Sequence, residues 1–148
     1  MLDQLGELYR EVILEHYQRP THRGELPEAQ IKVDGNNPLC GDDLAFHIRL
    51  NGDRVEKVRF QGHGCAISQA TASMLSQAIE GKHLKEVGQL IALLRQMMQG
   101  KELDESQDIG DLEALAGVRK FPVRIKCAAL AWNVIEQGLN EGQNHGSH

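Results

Sequence analysis

The Asn51-Gly52 pair constrains this chain more than any other feature. Both residues tolerate positive φ, and such a pair set between two alternating apolar segments specifies a tight antiparallel hairpin. The alternation before it runs from Leu44 to Leu50 through Phe46 and Ile48, and Val55, Val58 and Phe60 carry the return strand. Upstream, Ile31 and Val33 alternate with Lys32 and Asp34 over a shorter stretch. A period of two at these places predicts three antiparallel strands.

Elsewhere the apolar period is helical. Leu5, Leu8, Tyr9, Val12, Ile13 and Tyr17 recur at three- and four-residue spacing, which predicts a helix over 3–18 ended by Pro20. His16 falls beside that stripe and is expected to be a packed or hydrogen-bonded residue at the edge of the core, without a chemical role. A stripe from Ile67 to Ile79 predicts a helix stopped by Gly81, and one from Leu84 to Met98 predicts another stopped by Gly100. Met97 and Met98 read as filler of the core or its edge. A short helix is expected over 111–116, closed by Gly117. Pro122 opens a last long helix whose buried face carries Val123, Cys127, Leu130, Ala131, Val134 and Ile135. The expected class is α+β, a three-stranded antiparallel sheet packed against about five helices.

A chain of 148 residues, 41% hydrophobic and 25% charged, is long enough to bury a core without staples. One domain is expected over 1–139. Residues 140–148 carry too little apolar surface to order themselves and are expected to be a disordered tail. Lys101 to Asp108 is acidic and aperiodic and reads as a loop. A net charge of -5 with no run of basic residues leaves no footprint for nucleic acid. No segment approaches the roughly 18 apolar residues of a membrane span, and the first residues lack the pattern of an export signal. The expectation is a cytoplasmic protein with neither nucleic acid nor membrane as a partner.

The chemistry concentrates at Cys40, Cys65 and Cys127, an odd number that suits reduced thiols or metal ligands better than a disulfide framework. Cys40 stands in Asn37-Pro38-Leu39-Cys40-Gly41-Asp42, where an Asn-Pro turn signal and a glycine put a thiol and a carboxylate on one flexible tip between the first two strands. Cys65 follows Gly62-His63-Gly64 at or just before a helix start, where unpaired N–H groups and the helix dipole favour thiolate over thiol. Cys127 follows Phe121-Pro122 near the start of the last helix. Arg124 and Lys126 flank it; their charge lowers a thiol pKa, unless both are simply solvated. A free cysteine is also a small hydrophobe at home in a core. The placement of all three at loop or helix-start positions, with a carboxylate two residues from one of them, is what points to metal. Three thiols and Asp42 make a tetrahedral set, and thiolate-rich tetrahedral ligation selects zinc or an iron–sulfur cluster. Composition does not separate the two.

Together with Phe60-Gln61-Gly62-His63-Gly64-Cys65-Ala66-Ile67-Ser68 and Phe121-Pro122-Val123-Arg124-Ile125-Lys126-Cys127-Ala128, the Cys40 segment resembles the U-type (IscU/SufU) family of iron–sulfur cluster assembly, and most of all its SufU branch. The likeness covers nearly the whole chain, including the Tyr9 to Pro20 helix with its His16-Tyr17 pair. It implies a SufU/IscU-like fold with zinc held by Cys40, Asp42, Cys65 and Cys127. It also implies a protein that takes persulfide sulfur from a SufS-like cysteine desulfurase and passes it toward downstream iron–sulfur assembly proteins, stimulating that enzyme rather than acting alone. IscU-type members carry a histidine immediately before the third cysteine and a Leu-Pro-Pro-Val-Lys chaperone motif ahead of it. Here Lys126 holds the histidine's place and Phe121-Pro122-Val123 stands where the motif would begin, while Lys82 to Gly117 is expanded as in SufU members.

Three functions therefore compete for the same residues: a zinc-dependent sulfur acceptor, a scaffold for a [2Fe-2S] cluster on Cys40, Asp42, Cys65 and Cys127, and a structural zinc domain. Lys126 in place of histidine argues against the second. Asp42 argues against the third, because closed structural zinc sites are usually built from cysteine and histidine. Of the three thiols Cys40 is expected to receive sulfur, since an Asn-Pro and glycine-rich tip can swing where helix-bound cysteines cannot.

Overall fold

The computed structural model of the chain describes residues 6–38, 41–102 and 107–146. Three strands, β1 (Ile31–Asn37), β2 (Asp42–Asn51) and β3 (Arg54–His63), form one antiparallel sheet in the order β1-β2-β3. The hairpin at Asn51-Gly52 joins β2 to β3 and sets a register in which Phe46 faces Phe60, with ring centroids 6.2 Å apart. Leu44, Phe46 and Ile48 of β2 and Val55, Val58 and Phe60 of β3 are fully buried on the face toward the helices.

The strands outrun their alternation. β1 continues through Gly35, Asn36 and Asn37, and β3 through Gln61, Gly62 and His63. None of these side chains is apolar; main-chain pairing of Asn37 with Asp42 and of Asp43 with His63 extends the strands, and side-chain periodicity does not register that contribution.

The helical layer comprises α1 (Glu7–Gln18), α2 (Ala66–Ile79), α3 (Leu84–Met98), a 3-10 segment (Gly110–Lys120) and α4 (Pro122–Gly146), which is the expected α+β class. α2 is buried on every side from Ile67 to Ser76 and packs on α1, α4 and β3. α3 begins with a capping box, in which the His83 N–H donates to Glu86 Oε1 at 3.0 Å, and turns Val87, Leu90, Ile91, Leu94 and Met97 inward. α4 lies across β1 so closely that a Cβ on Gly138 would fall 2.6 Å from Val33 Cγ1, and only glycine fits there.

His16 is buried where α1 meets α2 and the 3-10 segment. Its Nδ1 lies 2.8 Å from Ser73 Oγ and its Nε2 lies 2.8 Å from Asp111 Oδ2, the hydrogen-bonded role expected of it. Among the described residues no helix is long and apolar enough to cross a membrane.

Two expectations are corrected. The short helix over 111–116 is a 3-10 stretch that passes Gly117 and ends at Lys120, because Leu112, Leu115 and Val118 bury one edge at three-residue spacing. α4 runs past Leu139 to Gly146, so the first part of the expected disordered tail is helical. Extending a packed helix adds one hydrogen bond per residue ordered, and Gln137 adds a bond of 3.1 Å to Glu141 one turn on. Residues 3–5 of the expected first helix, 103–106 of the expected loop and 147–148 of the tail lie outside the described residues.

Candidate metal centre

One end of the sheet, where β1 passes to β2 and β3 passes to α2, collects the sequence-predicted site residues. Asp42 is the first residue of β2 and is 1% exposed, so it belongs to the paired strand and not to the flexible tip expected for it. Its carboxylate turns inward because it has a partner there. The Cys65 main-chain N–H donates to Asp42 Oδ1 at 2.7 Å, so an anion caps the N-terminus of α2, where orphan donors and the helix dipole favour one. Gly64, at φ 149°, allows this approach; a Cβ on it would run into the Asp42 carboxylate.

Cys65 is the N-cap residue of α2, at the helix start its sequence position predicts, and its Sγ lies 3.8 Å from Asp42 Oδ2. Cys127 sits in the second turn of α4, fully buried, with Sγ 3.7 Å from the Val123 carbonyl oxygen. The ligand atoms of Asp42, Cys65 and Cys127 all lie within 4.8 Å of one another. Cys40, the fourth predicted member, lies outside the described residues.

Arg124 is drawn to this group. Its Nη1 donates to Cys127 Sγ at 3.9 Å, and that hydrogen bond raises the guanidinium pKa above its ordinary value, with Coulombic attraction to Cys65 and Cys127 adding to it. The signal in the sequence is its three-residue spacing from Cys127, which places both on one helix face. Lys126 is exposed. The bond between Asp42 and the Cys65 amide has no sequence signature, since it joins residues 23 positions apart.

The donor set suits a thiophilic cation. Zinc takes sulfur at about 2.3 Å and carboxylate oxygen at about 2.0–2.2 Å, so the edges of its tetrahedron are roughly 3.5–3.8 Å. The 3.8 Å from Cys65 Sγ to Asp42 Oδ2 is already close to such an edge, and no separation among the three ligand atoms exceeds 4.8 Å.

Fold and site together define a small α+β protein able to hold a metal between the end of its sheet and the starts of two helices. Residues 8–128 match the family of NifU-like N terminal domains, and the chain belongs to that family. It is 50% identical over 142 residues to the zinc-dependent sulfurtransferase SufU of Bacillus subtilis, covering 95% of this chain and 96% of that protein. It is 39% identical to the iron–sulfur cluster assembly scaffold protein IscU of Streptococcus pyogenes, over 97% of this chain and 89% of the relative. The crystal structure of a candidate iron–sulfur assembly scaffold of the SUF system from Fervidobacterium islandicum superposes with a TM-score of 0.82 at 33% identity, over 87% of this chain and 94% of that one.

Proposed function

We propose that this chain is a zinc-dependent sulfur acceptor in iron–sulfur cluster assembly, which takes persulfide sulfur from a SufS-like cysteine desulfurase on Cys40. The observation that carries this reading is the convergence of Asp42, Cys65 and Cys127 within 4.8 Å at the end of the sheet from which the Cys40 connection leaves. The identity to a Bacillus protein named as a zinc-dependent sulfurtransferase supports it. Cys40, Asp42, Cys65 and Cys127 are the ligands in this reading. Bound zinc supplies a positive charge that keeps coordinated thiols deprotonated at neutral pH.

The chain's own residues do the rest. Asp42 is fixed by the Cys65 amide, and Cys65 and Cys127 are fixed by α2 and α4. Arg124 sets a positive charge 3.9 Å from Cys127 Sγ. The Cys40 thiolate attacks the outer sulfur of the desulfurase persulfide. A sulfur–sulfur bond forms to Cys40 as the donor's sulfur–sulfur bond breaks, and the desulfurase cysteine leaves as a thiolate, so the exchange needs no external oxidant. Downstream iron–sulfur assembly proteins receive the sulfur, and a reducing cytoplasm keeps the thiols free.

One observation weighs against a [2Fe-2S] scaffold. Lys126, immediately before Cys127, is exposed, and an ammonium group has no lone pair to complete a cluster's ligation. Metal content and absorbance of protein purified without added iron test the reading. About one zinc per chain and a colourless solution are expected; a brown protein with stoichiometric iron and sulfide would overturn it.

A further inference from the structure

The fold closes one edge of the sheet and leaves the other open. On the outer side of β3, the Gly24 N–H donates to the Phe60 carbonyl and the Phe60 N–H to the His22 carbonyl, both at 2.9 Å. The Val58 N–H donates to Glu80 Oε2 at 3.0 Å. The Val55 N–H donates to the Lys82 carbonyl at 2.8 Å, and the Val55 carbonyl accepts from the Gly81 N–H at 2.7 Å. β1 pairs with β2 alone, and among the described residues no main-chain group from Ile31 to Asn36 has a hydrogen-bond partner outside that ladder. An open edge is a row of donors and acceptors ready to pair with another strand.

Charge commonly keeps such an edge from pairing. On β1 the charges are Lys32 and Asp34, both exposed and neither in an ion pair among the described residues, and they deter some pairings while favouring one. Two copies of β1 related by a twofold axis run antiparallel, so each register is fixed by the residue on the axis. An axis through Lys32 or through Asp34 sets a charge against itself, which is unfavourable. An axis between two residues sets buried side chains against exposed ones, which the pleat forbids. An axis through Val33 sets Lys32 of each copy opposite Asp34 of the other, with Val33 facing Val33 and Ile31 facing Gly35. It is the one register of β1 that joins opposite charges. It also keeps Ile31 and Val33, 5% and 6% exposed, on the buried side in both copies.

We infer that β1 is a self-pairing edge, through which two copies of this chain join their three-stranded sheets about an axis at Val33. The occupant is a second copy because one short strand carries both halves of the charge match, spaced evenly about a single residue as a twofold requires. The pairing leaves both metal centres open. β1 runs toward the metal end of the sheet, so in an antiparallel pair the two Asn37 ends point away from each other, about 26 Å apart along the strand axis. Each copy keeps the connection that carries Cys40 clear of the other. A strand edge with two exposed ion pairs is smaller than a standard interface, so the association is weak, with half of the chains paired at about 10–100 µM.

Sedimentation velocity of the full chain from about 5 to about 500 µM, at about 150 mM salt, measures the association, and amide hydrogen exchange over the same range locates it. The wild-type chain is expected to pass from monomer to dimer, with the β1 peptide gaining protection as concentration rises and the β3 peptide unchanged. Lys32→Glu turns both cross-strand pairs into like charges and is expected to weaken the dimer about tenfold or more, as is Asp34→Lys. Lys32→Asp combined with Asp34→Lys exchanges the two charges at constant net charge and is expected to restore the dimer to within about threefold. Lys57→Glu, an equal change of charge at an exposed position of β3, is expected to leave it as it was. A chain that stays monomeric throughout overturns the inference. So does a dimer that survives the single reversals, one that the exchanged pair does not restore, or one whose added protection lies outside β1. Hydrogen exchange on the wild-type chain decides without any variant.

Discussion

The Cys65 main-chain N–H donates to Oδ1 of Asp42 at 2.7 Å while the Cys65 sulfur lies 3.8 Å from Oδ2 of the same carboxylate. One side chain thus caps a helix with one oxygen and offers the other to the thiol cluster. Asp42→Asn keeps an acceptor for the amide and removes the charge. The variant is expected to fold, losing about 1–2 kcal/mol with the charged hydrogen bond, and to bind zinc about 10- to 100-fold more weakly. Chelator competition measures this, and wild-type affinity in the variant would remove Asp42 from the ligand set.

Gly64 stands over that carboxylate. A Cβ at its position would lie 2.9 Å from Asp42 Cα and collide with the side chain, and φ of 149° strains any other residue. Gly64→Ala is expected to lower stability by about 1–3 kcal/mol and to reduce zinc occupancy together with it. Thermal unfolding beside metal analysis decides; an unchanged occupancy would mean that Asp42 is not held by this contact.

Metal bound at the cluster would tie β2, α2 and α4 to one point. Removing it with a chelator is expected to lower the melting temperature by several degrees, each kcal/mol being worth about 2–4 °C in a chain near this size. The core around Phe46, Phe60, Leu75 and Trp132 is fully or almost fully buried by the fold's own side chains, so the chelated chain should still unfold cooperatively. A calorimetric scan that shows no shift on chelation would deny the site a structural role.

Arg95 on α3 donates from Nη1 and Nη2 to the two carboxylate oxygens of Glu136 on α4, both at 2.8 Å. These hydrogen bonds hold the Glu136 carboxyl below the usual range. A folded-state pKa below the unfolded one contributes stability above the unfolded value and loses it as pH falls through the folded value. Glu136→Gln is therefore expected to be less stable than the parent near neutrality, with the gap narrower at about pH 3. Side-chain exposure of 40% and 41% leaves the pair screened by solvent, so the difference should be about 0.5 kcal/mol. Urea unfolding at the two pH values checks the sign; a gap that widens in acid would contradict it.

The sheet was legible in the sequence where side chains report it, at the Asn51-Gly52 hairpin and the Phe46 and Phe60 positions, because a half-buried strand writes its two faces into alternate residues. Strand ends held by main-chain pairing alone, such as Gly35 to Asn37, wrote nothing. Cys65 and Cys127 were legible as a site through their placement at helix starts. The inward turn of Asp42 was not, because the amide that holds it belongs to another element. His16 was legible as a bonded residue, but its partners Ser73 and Asp111 lie 57 and 95 positions away and only the tertiary fold names them.

In the proposed sulfur transfer Cys40 accepts sulfur while Asp42, Cys65 and Cys127 hold the metal. The direct measurement is to incubate the zinc-loaded chain with its desulfurase and cysteine, alkylate, and map the added sulfur by peptide mass spectrometry. Persulfide on the peptide containing Cys40, absent from Cys40→Ala although that variant still folds, is the predicted result. Persulfide on Cys65 or Cys127 with none on Cys40 would contradict it.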